Sequence, residues 1–219
     1  MGRAVNVEMR HSFIAVEGPI GVGKTTLAKQ ISKRLGGALL LEDVHNPFLA
    51  DFYSGRKGAA FQCQLFFLLT RYQQQRDLLQ RSLFDSRLVT DYIAQKDKIF
   101  AHLTLDDSEL TIYQKLYGLL MENLPKPDVI IYLQATAENL KKRIRSRNRD
   151  YEKQVADEYV ERLAEAYNYF FFHYRETPLL IVNTNEVDFS RNEPELDHLL
   201  AQVNRLENGV LLYAPLGSS

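Results

Sequence analysis

Short apolar runs alternate with longer amphipathic stretches along most of the chain. The apolar runs lie at residues 12–18, 38–42, 87–92, 128–135 and 179–184. Their length and aliphatic content are typical of strands that are buried on both faces. Such strands, when they alternate with helices, imply βαβ units and a parallel sheet. We therefore predict a three-layer α/β fold with a five-stranded parallel sheet.

The stretches between these runs have apolar residues at the spacing of an amphipathic helix. Within residues 24–36, Leu27, Ile31 and Leu35 recur at every fourth position. Thr136 precedes another such stretch and has the side chain of a helix N-cap. The same pattern predicts further helices at 59–83, 107–124, 137–148 and 157–175.

The chain has 219 residues, a length that suits one domain. We see no internal repeat, linker or low-complexity segment that would divide it. Residues 1–11 are polar and aperiodic, which predicts a flexible leader. The predicted domain spans 12–205, and residues 206–219 are assigned to a C-terminal tail.

Composition and charge argue against several classes of partner. The net charge is −1 and hydrophobic residues make up 45% of the chain. Such a chain has no bulk attraction for a nucleic acid polymer or an anionic membrane, so we expect neither as a partner. Cys63 is the only cysteine, and no run approaches the roughly 18 apolar residues of a membrane helix. We therefore expect a cytoplasmic protein.

Residues 18–25, Gly-Pro-Ile-Gly-Val-Gly-Lys-Thr, match the phosphate-loop pattern G-x-x-x-x-G-K-[ST] at every fixed position. A predicted strand precedes the loop and a predicted helix follows it, which is the context that binds phosphate. The glycines let backbone N–H groups turn towards phosphate oxygens, and the helix N-terminus adds positive charge. Lys24 is predicted to reach the β- and γ-phosphates, and Thr25 to bind Mg²⁺. The sequence therefore predicts a protein that binds ATP and Mg²⁺.

A basic stretch follows the fourth predicted strand. Residues 141–153 contain seven Lys or Arg residues against two carboxylates. Most charge runs are solvated helix faces. Next to a phosphate loop, however, Arg143 and Arg147 on one helix face, followed by Arg149, predict a lid over the phosphates. The N/T-K-x-D and D-x-x-G motifs of a GTPase switch are absent.

Further motifs follow the phosphate loop in a defined order. Glu42 ends the second predicted strand, and Gln64 and Arg71 lie two helical turns apart. Residues 91–100 (DYIAQKDKIF) follow the third strand, and residues 143–149 have the pattern R-x-x-x-R-x-R. Together these motifs resemble the deoxynucleoside kinase family, specifically the bacterial deoxyadenosine/deoxyguanosine kinase type, over most of the chain.

The resemblance implies that ATP phosphorylates the 5′-hydroxyl of a deoxynucleoside in nucleotide salvage. Glu42 would be the general base, with Lys24 and Arg143 as the other catalytic residues. A purine is the expected base and a homodimer the expected assembly. The implied ATP-binding residues are Gly18, Gly21, Val22, Gly23, Lys24, Thr25, Thr26, Arg147 and Arg149.

The resemblance also implies contacts to the nucleoside and the metal. Gln64, Arg71 and Asp97 would contact the base, since an amide presents both a donor and an acceptor to a nucleobase edge. Asp91 would lie near the metal together with Thr25. The residues assigned to the sugar are Tyr53 and Glu152 at the 3′-hydroxyl, with Glu42 at the 5′-hydroxyl.

Two positions depart from the family pattern. Tyr92 replaces an arginine that would hold phosphate, and either Lys96 or Lys98 could substitute for it. Asp43 replaces a proline, and this second carboxylate could raise the pKa of Glu42 or assist with the metal.

Two other functions stay open from the sequence. A thymidylate or other nucleoside monophosphate kinase has the same loop and a similar lid, but it needs an additional arginine at the acceptor phosphate. Tyr92 is the one feature that favours the other alternative, a P-loop module that binds nucleotide without transferring phosphate. The pattern of Glu42, Gln64 and Arg71 favours a nucleoside as acceptor.

Overall fold

The structure is a computed structural model that describes residues 9–81, 87–121, 124–149, 152, 155–187, 189 and 192–215. Its strands are β1 (Phe13–Glu17), β2 (Ala38–Leu40), β3 (Leu88–Thr90), β4 (Val129–Gln134), β5 (Leu179–Asn183) and β6 (Val210–Tyr213). Its helices are α1 (Lys24–Leu35), α2 (Leu49–Tyr53), α3 (Ala59–Arg81), α4 (Lys96–Thr104), α5 (Asp107–Met121), α6 (Ala137–Arg147), α7 (Asp157–His173) and α8 (Glu193–Arg205). None of these described helices is both long and apolar enough to cross a membrane.

The described strands form one parallel sheet in the order β2-β3-β1-β4-β5-β6. The α/β fold and the five predicted strands are confirmed, and so is the capping of α6, where the Thr136 hydroxyl accepts from the backbone N–H of Asn139. Because β1 lies between β3 and β4, the phosphate loop that follows it opens near the middle of the sheet edge. The segments after β2 and β3 open beside it.

The sheet has six strands in the described residues rather than the predicted five. The sixth, β6, lies within residues 206–219, which the sequence analysis assigned to a tail. It pairs with β5, with Leu179 opposite Val210. The sequence has an apolar run at residues 210–213, which the sequence analysis did not assign to a strand. Val210 and Leu212 are exposed because β6 lies at the edge of the sheet. Residues 216–219 lie outside the described residues.

The predicted leader also differs in part from the structure. Met9 and His11 are buried, and the His11 ring lies within hydrogen-bond distance of the carbonyl oxygens of Val203 (3.1 Å) and Leu206 (3.0 Å). Residues 9–11 therefore pack on the end of α8. Residues 1–8 of the predicted leader lie outside the described residues.

Side chains of the central strands alternate between two apolar layers. Ile14 of β1 belongs to a buried cluster with Ile31 of α1 and Leu199 of α8. The next residue, Ala15, belongs to a second cluster with Tyr167 of α7. Full burial of an aliphatic or aromatic side chain contributes about 1.5–3 kcal/mol, so both layers hold the sheet edge in place.

Glu17 ends β1 and its side chain is fully buried. Its Oε1 accepts from the backbone N–H of Gly18 (2.9 Å) and the hydroxyl of Tyr167 (3.1 Å), and its Oε2 accepts from the N–H of Ile93 (2.9 Å). These bonds tie the start of the phosphate loop to α7 and to the segment after β3. In the sequence, Glu17 is noticeable only as the charge that interrupts an apolar run.

We predict that Glu17→Gln lowers stability. An amide NH₂ would replace one acceptor and face a buried donor, which costs about 1–3 kcal/mol. For a chain of this size each kcal/mol lowers Tm by about 2–4 °C, so thermal unfolding followed by circular dichroism should detect the change. The control is Glu207→Gln, which removes an exposed partner of Arg10 and should leave Tm unchanged. Equal Tm values for wild type and Glu17→Gln would contradict the prediction.

Candidate active site

The phosphate loop follows β1 and leads directly into α1. Gly21 has a φ of 84°, and a Cβ atom there would lie 2.8 Å from Cγ1 of Ile144. A Cβ atom on Gly18 would lie 2.5 Å from the carbonyl oxygen of Leu133. These contacts mean that the backbone packs against α6 and β4 as closely as glycine allows. The loop therefore places its N–H groups at the N-terminus of α1, as an anion site requires.

Lys24 is the first residue of α1 and its ammonium group folds over the loop. Nζ donates to the carbonyl oxygens of Gly18 (2.6 Å) and Pro19 (3.1 Å). Burial, together with the charge of Lys96, lowers the pKa of Lys24 to about 8. A bound anion would favour the charged form of this lysine.

Asp91 connects the phosphate loop to the end of β2. Its Oδ2 accepts from the hydroxyl of Thr25 (2.5 Å) and its Oδ1 accepts from the backbone N–H of Glu42 (2.6 Å). A hydroxyl beside a carboxylate is a set of hard oxygen donors that fits Mg²⁺, which keeps several waters and takes few protein ligands. The described residues contain no group of three or more His, Cys, Asp or Glu side chains able to hold a metal. The predicted metal residues are thus adjacent and suit magnesium held largely by phosphate and water.

Glu42 faces the same space and contacts two cations. Its Oε2 accepts from Nζ of Lys96 (2.7 Å), and its Oε1 accepts from the guanidinium of Arg71. Burial acts to raise the pKa of Glu42, but the charges of Lys96 and Arg71 outweigh it and hold this pKa well below its usual range. The side chain of Asp43 is turned towards His45, whose backbone N–H donates to the Asp43 carboxylate at 2.9 Å. The pKa of Glu42 is therefore lowered rather than raised, contrary to the expectation, and assistance of the metal by Asp43 stays a prediction.

The predicted base-contacting residues lie together beyond Glu42. Arg71 of α3 also pairs with the buried carboxylate of Asp97, and its guanidinium lies 4.8 Å from the centre of the Phe67 ring. Oδ2 of Asp97 has no hydrogen-bond partner among the described residues. Gln64 is buried on the same helix, and Tyr53 of α2 faces the same space.

One cavity of about 340 Å³ joins these groups, except Asp97, which is buried against Arg71 and does not line it. It is large enough for a small-molecule ligand. At one end it is lined by Lys24 and Thr25 of the phosphate loop. Across from them it is lined by Tyr53, Glu42, Gln64, Arg71 and Glu152. Residues predicted for the phosphate donor and for the acceptor therefore share one space.

The predicted lid residues extend from the end of α6. Arg147 Nε donates to Glu152 at 2.7 Å, and Arg149 lies 3.9 Å from the same carboxylate. Arg143 donates to the carbonyl oxygens of Val22 and Thr184, so it joins the phosphate loop to the segment after β5. A second cavity, of about 380 Å³, lies on this side of the loop. Its lining includes Gly21, Val22, Gly23, Thr26, Arg143, Arg147, Thr184 and Val187.

The family model described as "Deoxynucleoside kinase" matches residues 14–207 of this chain. The chain belongs to the deoxynucleoside kinase family.

Similar proteins agree with this membership. The chain is 38% identical over 200 residues to the deoxyguanosine kinase of Bacillus subtilis (strain 168), with 89% of this chain and 97% of that protein covered. It is 32% identical over 203 residues to the deoxyadenosine/deoxycytidine kinase of the same organism, with 89% and 92% covered. A structure of deoxyadenosine kinase from M. mycoides with bound dATP superposes with a TM-score of 0.74 at 26% identity, covering 87% of this chain and 98% of that one.

Two features of this deoxynucleoside kinase were not found from the sequence. The first is α7, which contributes Tyr159, Leu163 and Tyr167 to the cavity that Lys24 and Glu42 share, although its aromatic residues indicated only an apolar helix. The second is the burial of Lys96 against Glu42. No signal in the sequence separates Lys96 from Lys98, since both are lysines of one short motif.

We expect ATP binding by this kinase to take up a proton near pH 8. Because the pKa of Lys24 is about 8, only part of the population carries a charged ammonium group there, and the phosphates favour that form. Affinity for ATP should therefore fall as the pH rises above 8. Isothermal titration calorimetry at pH 8 in two buffers of different ionisation enthalpy measures the uptake.

The matched control for this measurement is Lys24→Arg. A guanidinium stays charged at this pH, so its binding heat should not depend on the buffer. Equal binding heats of the wild-type protein in the two buffers would contradict the prediction.

Proposed function

We propose that this kinase transfers the γ-phosphoryl group of ATP to the 5′-hydroxyl of a deoxynucleoside, with a purine as the preferred base. The observation that supports it most is the shared cavity, which is lined by Lys24 and Thr25 on one side and by Glu42 on the other. A donor triphosphate and an acceptor nucleoside can face each other there without water between them.

The transfer forms a bond between the γ-phosphorus and the 5′-oxygen and breaks the bond from that phosphorus to ADP. The hydroxyl proton passes to Glu42. Phosphoryl transfer needs little base strength because its transition state is loose, so a carboxylate of low pKa is sufficient. Thr25 and Asp91 would hold Mg²⁺ together with the phosphates, and the ion would supply positive charge that offsets the charge of the phosphates.

The nucleoside would lie between α2, α3 and the lid. Gln64, Arg71 and Asp97 offer donors and acceptors to the base, and the resemblance assigns Tyr53 and Glu152 to the sugar. The purine preference is supported by the Bacillus subtilis relative that is named a deoxyguanosine kinase. The ATP phosphates would be held by the phosphate loop and by the lid residues Arg143, Arg147 and Arg149. The cytoplasm, with its ATP supply, is the proposed location.

We predict that Glu42→Gln lowers kcat by roughly 10²–10³, because an amide cannot take the hydroxyl proton. The assay is coupled ADP release with dA, dG, dC and dT as acceptors, and dTMP tests the monophosphate alternative. Asp43→Asn is the matched control, since that neighbouring carboxylate faces His45 and should leave kcat unchanged. Full activity of a folded Glu42→Gln variant would refute the base assignment, and a preference for dTMP would refute the proposed acceptor.

A homodimer through the groove between α4 and α7 is part of the proposal. Tyr169 and Phe172 of α7 are 72% and 71% exposed. Tyr169 lines a groove of about 840 Å³ together with Ile99 and Leu103 of α4. An exposed apolar surface of this kind marks an interaction site, and a two-fold axis would let the same surface of a second copy cover it.

We expect the wild-type protein to elute at twice its chain mass of 25.3 kDa in size-exclusion chromatography with light scattering. The double variant Tyr169→Glu with Phe172→Glu should elute as a monomer, because it replaces two exposed aromatic rings of α7, at and beside the groove, with charges. The control Leu119→Glu changes an equally exposed residue of α5 and should remain dimeric. A monomeric wild-type protein at micromolar concentration would contradict the dimer.

A further inference from the structure

We propose that Lys96 is a catalytic residue, which holds an oxygen of the transferred phosphoryl group opposite Lys24. This inference rests on the proposed function and deepens it. The sequence left open whether Lys96 or Lys98 substitutes for the arginine that the family pattern places at Tyr92, and the contacts of the two lysines decide between them.

Lys96 lies where an ammonium group is unfavourable apart from its ion pair with Glu42. It is the first residue of α4, it is 3% exposed, and its Nζ lies 5.7 Å from the centre of the Phe100 ring. The N-terminus of a helix disfavours a cation, and burial of an ammonium group is costly. Its position is better explained by negative charge that enters the cavity it lines.

Glu42 contacts two cations, and a general base needs a free oxygen for the 5′-hydroxyl. Arg71 is fixed, because it also pairs with Asp97 and lies over the ring of Phe67. Lys96 has an ion pair with Glu42 alone among the described residues, and its ammonium group ends a flexible chain. Lys96 is therefore the cation that can leave Glu42.

The γ-phosphoryl group provides the place to which Lys96 would move. Lys24 and Lys96 line the same cavity, and like charges in one cavity repel each other. A phosphoryl group between the two ammonium groups would replace this repulsion with two attractions.

The covalent change is the one already described, and Lys96 forms no bond in it. The bond from the γ-phosphorus to ADP breaks, the bond to the 5′-oxygen forms, and the hydroxyl proton goes to Glu42. Lys96 neutralises charge on an equatorial phosphoryl oxygen during this step.

The neighbouring residues of the motif have different surroundings. Lys98 is exposed, its Nζ lies 5.0 Å from the centre of the Tyr117 ring of α5, and it does not line the cavity that Lys24 and Glu42 share. Tyr92 is fully buried and does not line that cavity. Lys98 is therefore a matched control on the same helix.

The test compares Lys96→Met, Lys96→Gln and Lys96→Arg with Lys98→Met in the coupled ADP-release assay. Thermal unfolding identifies a temperature at which each variant is folded. Calorimetry checks that each variant still binds ATP with Mg²⁺. We expect the two neutral variants at position 96 to lose roughly 10²–10³ in kcat, as when one donor to a developing charge is removed. Their KM for the deoxynucleoside should change less than threefold, Lys96→Arg should recover part of kcat, and Lys98→Met should match the wild type.

Two outcomes would overturn the assignment of Lys96 while leaving the proposed function intact. One is an active wild-type enzyme whose folded neutral variants keep kcat within threefold. The other is a loss confined to KM, which would mean that Lys96 only positions Glu42 for nucleoside binding. A wild-type protein without deoxynucleoside-dependent ADP release would overturn the proposed function, and this inference with it.

Discussion

The Asp91 carboxylate couples the phosphate loop to the acceptor side of the active site. One of its oxygens accepts from the hydroxyl of Thr25 and the other from the backbone N–H of Glu42. These contacts are possible because β1, β2 and β3 are parallel neighbours whose carboxyl ends meet at one edge. The distance between donor phosphate and acceptor hydroxyl is therefore set by strand order, and Glu17 holds the same edge from inside the core.

Beyond Asp91 the cavity is organised by charge balance. Glu42 and Asp97 are matched by Arg71 and Lys96, and all four side chains are buried or nearly so. Removing one member of such a network leaves an uncompensated buried charge, which is strongly destabilising. A network of this kind places fixed charges around a reaction in which a charged phosphoryl group moves from ADP to an acceptor oxygen.

The regular part of the fold was predictable because its signals are local. The five strands and the helices α1, α3, α5, α6 and α7 have periodic apolar residues, and the phosphate loop has a pattern of fixed spacing. The short helices α2 and α4 lack such patterns, since five and nine residues give too little periodicity to recognise. The apolar run of the edge strand β6 was assigned to the tail. Helix α8 was not identified either. Helix α4 begins within residues 91–100, which the sequence analysis treated as individual motif residues and not as part of a helix.

The sequence by itself determined the phosphate loop, the α/β class and the identity of most residues that line the cavity, because these depend on spacing along the chain. Only the tertiary structure decided which of those residues meet. Glu42 comes from the segment after β2, Arg71 from α3 and Lys96 from α4, and their contacts depend on strand order and on how the helices pack against the sheet. Two lysines separated by one residue on a helix point to different faces, so the choice between Lys96 and Lys98 required knowing where α4 begins and what it faces.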